Sequence, residues 1–321
     1  MRKSYKISFY LLVFAVTTFY FALFRPLPKT SYSPAEVLGQ STNLTLFIEP
    51  DDGRGPLLNY INASQNQILT EVYILSDGQI ISALASRSAI TKILLEEHPF
   101  GGNNLNQKTK GLLGNIVDWS SPAFALTHQK SMVFDSSVVC ILNMNLSAAA
   151  FTRNREYNIC SENNDEVSEV RNIFFADLNR KDYSPTAPNL IVSPANSRAK
   201  LTAFINSAQK SLDVEIEVLT DDRMVAILST IASKIPVRII LPEQKEIANS
   251  PVSGAQVKYL KSPYPHAKLI IVDNTRAYVG SINFTTQSLD SNRELGILVA
   301  QPDILERLNT TFTKDWERAS L

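Results

Sequence analysis

Two histidine–lysine pairs recur in the same arrangement, His128 with Lys130 and His266 with Lys268. In each, the partners are two residues apart at the start of an apolar, strand-like run, so both side chains leave the same face. That pairing suits phosphate chemistry: a histidine can serve as nucleophile or acid near neutral pH, while a neighbouring lysine neutralises a non-bridging oxygen. Past each pair the chain reaches Asn143 and Asn145 in one copy and Ser281 and Asn283 in the other, again two apart, as neutral donors to the same anion. Glu156 and Glu294 each follow the histidine of their own copy by 28 residues and are expected to accept its second ring proton, fixing the tautomer. Asp135 and Asp273, seven residues beyond each histidine, fall in turns and read as structural acceptors. No His/Cys/Asp/Glu spacing of a metal site occurs, so neither metal nor cofactor is expected.

These residues recur because the chain repeats itself. The segment from His128 aligns without a gap on the segment from His266 at an offset of 138 residues, and the upstream parts align at an offset of 144, pairing Glu71 with Glu215 and Asp77 with Asp221. The expected organisation is residues 1–41 as leader and linker, 42–183 as a first half and 184–321 as a second.

In each half an apolar strand leads through turn residues into a helix with one apolar face, carrying Leu57, Leu58 and Ile61 or Leu201, Phe204 and Ile205. Further strands are predicted over 68–75 and 212–219. The His–Lys segment then opens a hairpin, 132–134 with 138–142 and 269–272 with 276–279. The stretch 99–115 shows no periodicity and reads as a long loop. His98, which has no counterpart in the second copy, reads as a loop residue.

The paired H-x-K-x-x-x-x-D motifs, His128 to Asp135 and His266 to Asp273, with Gly280-Ser281-Ile282-Asn283 and Asn292-Arg293-Glu294 downstream, resemble the phospholipase D superfamily. The resemblance covers nearly all of the chain from about residue 42. It implies an α/β fold: two similar α/β/α halves with mixed sheets about a pseudo-two-fold axis, sharing one site. It also implies metal-free cleavage of a phosphodiester through a phosphohistidine, with His128 as nucleophile and His266 as acid. The first copy departs from the pattern, with Leu142 and Asn143 where the second has Gly280 and Ser281. Leu142 is expected to deny the close backbone approach that glycine permits.

Composition narrows the substrate. The 31 basic and 31 acidic residues balance, but five basic residues and one acidic residue lie in the first forty, leaving 26 against 30 in the remainder. A slightly acidic body gives no general pull on nucleic acid. Ile7 to Phe24 is an uncharged apolar run long enough to cross a bilayer, preceded by Arg2, Lys3 and Lys6. It is expected to form one N-terminal transmembrane helix, a signal anchor with the remainder on the exported side; a cleaved signal peptide is the alternative. A phospholipid is therefore the expected substrate, by hydrolysis or transfer. A metal-independent nuclease is the second reading, and a non-catalytic binding module the third. Cys140 and Cys160 fall on separate predicted strands, and a disulfide or two buried thiols are equal readings.

Overall fold

The computed structural model describes residues 29, 31–37, 41–100, 104–243 and 252–321. The expected transmembrane segment Ile7 to Phe24 lies outside them. No helix among the described residues is long and apolar enough to cross a membrane.

The first half contributes β1 (Leu44–Glu49), β2 (Ile68–Val72), β3 (Thr91–Leu95), β4 (Val117–Trp119), β5 (Lys130–Phe134), β6 (Val138–Leu142) and β7 (Asn154–Ser161). They form one mixed sheet in the order β1-β7-β6-β5-β2-β3-β4, in which only β2–β3 and β3–β4 are parallel. The second half contributes β8 (Leu190–Ser193), β9 (Leu212–Ile216), β10 (Val237–Leu241), β11 (Gln256–Tyr259), the short β12 (Tyr264–Pro265), β13 (Lys268–Val272), β14 (Arg276–Gly280) and β15 (Glu294–Val299). Its order, β8-β15-β14-β13-β9-β10-β11, repeats the first sheet strand for strand and direction for direction.

The central strands are buried on both faces, so they read as continuous apolar runs rather than alternating ones. One face of each sheet packs against helices of its own half: Leu57, Ile61, Ile80 and Leu84 cover the first, and Leu201, Phe204, Met224 and Leu228 the second. The other faces meet in a shared core, where Ile48, Val133, Tyr157 and Ile159 join Leu269, Ile271, Val279 and Ile297. The C-terminal helices of the halves, Asn164–Leu178 and Pro302–Arg318, close that core through Val170, Ile173, Leu308 and Phe312.

The hairpins that carry the motifs are set by their turns. Asp135 and Ser136, like Asp273 and Asn274, hold positive φ of 51° to 58°, so both central residues of each turn are left-handed, and the turns are closed by Ser137 N donating to Phe134 O and Thr275 N to Val272 O. Asp135 accepts from the backbone N–H groups of Gln65, Asn66 and Gln67, and Asp273 from those of Gln209, Lys210 and Ser211. Each aspartate thus ties its hairpin to the loop before β2 or β9. Cys140 and Cys160 stand directly opposite on β6 and β7 and are joined by a disulfide, their Cα atoms 3.9 Å apart.

One expectation is corrected here: the stretch 99–115 contains a helix, Leu105–Leu113. Its inward face is Asn106, Thr109 and Leu113, at helical spacing but mostly polar. Asn106 Nδ2 donates to the carbonyls of Tyr73 and Glu96, and Thr109 Oγ1 to that of Leu75, so hydrogen bonds replace the apolar contacts that a hydrophobic pattern would reveal.

Candidate active site

Each histidine sits on a segment that crosses from its own half to the other. The N–H groups of His128 and Gln129 donate to Arg293 O at 2.9 and 2.7 Å. Reciprocally, β12 pairs with β7, placing Pro265 opposite Arg155. This exchange decides which carboxylate each imidazole meets. His128 Nδ1 lies 2.8 Å from Oε2 of Glu294, and His266 Nδ1 lies 2.9 Å from Oε2 of Glu156. The same-copy pairing expected from the 28-residue spacing is therefore corrected to a cross-half one. Reciprocal contacts of this kind are what a two-fold relation between the halves produces.

Both carboxylates are fully buried. The amide of Asn154 holds the second oxygen of Glu156 at 3.0 Å, and Asn292 holds that of Glu294 at 3.2 Å. Burial alone would raise the Glu294 carboxyl, but His128 and Lys130 hold it below its ordinary range. The intervening arginines also cross: Arg155 donates to Asp315 at 2.6 Å and Arg293 to Asp177 at 2.8 Å, so each Asn-Arg-Glu run fastens the other half's last helix as well as its histidine. The sequence register contained these pairs but not their partners.

At the outward nitrogens the halves differ. His128 Nε2 faces the Lys130 ammonium at 2.9 Å, and Lys130 also donates to His128 O at 2.8 Å. An ammonium can only donate, so Nε2 carries a lone pair and Nδ1 the proton. Burial pushes His128 down to about 4 and Lys130 down to about 7. His266 Nε2 faces instead the carboxylate of Glu217 at 3.4 Å. Lys268 donates to that same oxygen at 2.8 Å and to His266 O at 2.7 Å, and Asn283 Nδ2 lies 3.4 Å from it. Burial would raise Glu217, but His266, Lys268 and also His128 hold it well below its ordinary range. At the 144-residue offset Glu217 corresponds to Tyr73, whose ring meets His128 edge-on at 4.7 Å between centroids. Neither residue was singled out from sequence, although that register held the signal.

Of the four expected phosphate donors, one is brought to the site by its contacts, through the hydrogen bond of Asn283 to Glu217. Asn145 and Asn283 each keep a buried Oδ1 without a hydrogen-bond partner among the described residues. Asn143 and Ser281 are corrected. Asn143 Nδ2 donates to Gly280 O across the halves at 2.6 Å while its Oδ1 accepts from Tyr157 N, so it braces the interface. The Ser281 hydroxyl accepts from Leu295 N at 3.1 Å and helps to hold Glu294 ionised.

Two copies of the family model described as cardiolipin synthase, PLD-like domain, match residues 57–178 and 201–316. The chain belongs to the phospholipase D superfamily. The human mitochondrial cardiolipin hydrolase is 39% identical over 67 residues, 21% of this chain and 25% of that protein, so the match spans a quarter of the relative's length. Two solved structures share the fold at low identity. Phosphatidylserine synthase from Haemophilus influenzae is 13% identical with a TM-score of 0.60, over 90% of this chain and 87% of that one. Polyphosphate kinase from Porphyromonas gingivalis is 14% identical with a TM-score of 0.69, over 90% of this chain and 54% of that one.

In this phospholipase D-like chain the departure at Leu142 has a packing cause. A Cβ on Gly280 would lie 2.5 Å from Gly296 Cα and 2.5 Å from the Tyr278 hydroxyl oxygen, and one on Gly296 would lie 2.2 Å from the Tyr278 ring. In the first half the positions of Tyr278 and Leu298 are Cys140 and Cys160, and those of Gly280 and Gly296 are Leu142 and Asn158. A large ring over two glycines in one half is exchanged for a small disulfide beside larger residues in the other. The backbone approach to phosphate expected of Gly280 is thus corrected: the glycine makes room for Tyr278.

Proposed function

We propose that this chain cleaves or transfers the phosphodiester of phospholipid head groups through a phosphohistidine on His128. The observation that carries the reading is the asymmetry at Nε2: His128 presents a lone pair beside a lysine, whereas His266 presents its ring to two carboxylates, one at each nitrogen. A donor is wanted at both nitrogens of His266, which suits the imidazolium and hence the acid role.

In the first step Nε2 of His128 attacks phosphorus as the bond to the leaving oxygen breaks, and the Nε2 proton of His266 moves to that oxygen. Glu294, at Nδ1, stabilises the positive charge that develops on the His128 ring. In the second step His266, now neutral, takes a proton from water or an alcohol as its oxygen attacks phosphorus, and the P–N bond breaks to restore His128. Lys130, Lys268, Asn145 and Asn283 balance and orient the non-bridging oxygens.

The choice of phospholipid is supported by the names of the matching family model and the human relative, both of which refer to cardiolipin. The apolar run Ile7 to Phe24 would keep the site beside a bilayer, on its exported side, and so raise the local lipid concentration. The test is to incubate the full chain in detergent and EDTA with labelled phosphatidylcholine, phosphatidylglycerol and cardiolipin, and in parallel with single-stranded and plasmid DNA. Head-group release with a phosphohistidine trapped in His266→Asn supports the reading. Salt-sensitive DNA cleavage without any head-group release would replace it with the nuclease.

A further inference from the structure

One carboxylate of the site, which faces Nε2 of His266 before substrate enters, makes and breaks no bond in the two-step reaction. Glu217 follows directly after β9, and a single oxygen, Oε2, gathers Lys268 Nζ at 2.8 Å, His266 Nε2 at 3.4 Å and Asn283 Nδ2 at 3.4 Å. An ammonium, an imidazole and a primary amide converging on one anionic oxygen are the surroundings that a non-bridging phosphoryl oxygen requires. In the first half the corresponding residue is the uncharged Tyr73, and there the lysine turns to its own histidine instead. A route to solvent is also specific to Glu217: its side chain is 20% exposed, whereas those of Glu156 and Glu294 are 0% exposed and are held at both oxygens.

We propose that Glu217 is a built-in occupant of the second half's phosphate seat, which an incoming phosphate must displace and which therefore weakens the binding of anions to this site. The proposal rests on the reading of the site as one for phosphate esters, and not on which ester is cleaved. When phosphate enters, one of its oxygens takes the place of Oε2 among Lys268, His266 and Asn283, and the carboxylate turns toward solvent. His266 then exchanges one anionic neighbour for another. Anion affinity is lowered because displacement costs the contacts of Glu217 and leaves a like charge close to the ligand.

The experiment is titration calorimetry of inorganic phosphate into the full chain in detergent at fixed ionic strength, pH 7, for wild type, Glu217→Gln and Glu217→Ala, with thermal unfolding to establish that each variant is folded. Removing a carboxylate from a site that binds an anion only through neighbouring groups should tighten phosphate binding by about tenfold or more in both variants. The alanine variant guards against a glutamine amide that reoccupies the seat. Glu217→Asp keeps the charge on a shorter arm and should fall between wild type and alanine. Equal or weaker binding in the folded Gln and Ala variants, or no measurable binding in any form, overturns the proposal. Tighter binding in both variants with no head-group or DNA cleavage by any form would leave this inference standing while refuting the phosphodiesterase reading.

Discussion

Replacing Glu294 or Glu156 by glutamine separates the two halves of the proposed reaction, because each carboxylate serves the histidine of the opposite copy. Glu294 is fully buried at 2.8 Å from His128 Nδ1, and its loss leaves a developing imidazolium without its counter-ion. Breaking a buried charged pair costs about 3–5 kcal/mol, which at 1.36 kcal/mol per decade slows attack by about two to four decades. The glutamine amide can also donate to Nδ1, moving the ring proton to Nε2 and blocking the nucleophile. The assay is a rapid-quench measurement with a p-nitrophenyl phosphodiester, whose leaving group departs without an acid. Glu294→Gln should abolish the burst of p-nitrophenol and give no phosphohistidine. Glu156→Gln impairs only His266, so the burst should persist at near one equivalent, followed by slow release as the phosphohistidine waits for activated water. A burst in Glu294→Gln that is absent from Glu156→Gln would refute the cross-half assignment of roles.

Alanine in place of either His128 or His266 should remove nearly all turnover, and the double variant should lose little more, since the two act as one unit; more than a tenth of wild-type activity in either single variant would refute a shared site. The pH profile of kcat/KM should fall below about pH 4, where His128 takes up a proton and loses its nucleophilic lone pair, and fall again above about pH 7 as Lys130 loses its charge. A profile rising steadily from pH 7 to 9 would contradict the role of Lys130. Asp135→Ala removes one carboxylate that accepts three backbone N–H groups, and should lower the unfolding free energy by about 1–3 kcal/mol in a urea titration while leaving the kcat of the remaining folded protein near wild type. A large fall in kcat at unchanged stability would place Asp135 in the chemistry instead.

The repeat made much of this protein readable in its sequence. Two segments in register at 138 residues pick out His128, Lys130, Glu156 and their counterparts, and the β-branched runs and turn residues around them mark the hairpins, because local strand and turn preferences act within a few residues. The aspartates at the turns follow from the same local chemistry. What the sequence could not contain is the direction in which the two copies clasp. A spacing of 28 residues says only that a glutamate strand lies near its histidine. The hydrogen bonds from His128 and Gln129 to Arg293, and of β12 to β7, then carry each ring to the other copy's glutamate. The helix Leu105–Leu113 was hidden for another reason: its buried face is Asn106 and Thr109, held by hydrogen bonds that leave no apolar stripe. Gly280 and Leu142 looked like a difference in phosphate contact, yet they are the two ends of a volume exchange involving Tyr278 and the Cys140–Cys160 disulfide. Local preferences and residue identity are written along the chain, while the partner of a buried charge and the volume left for a side chain are properties of residues far apart in sequence. Only the packed sheets decide them.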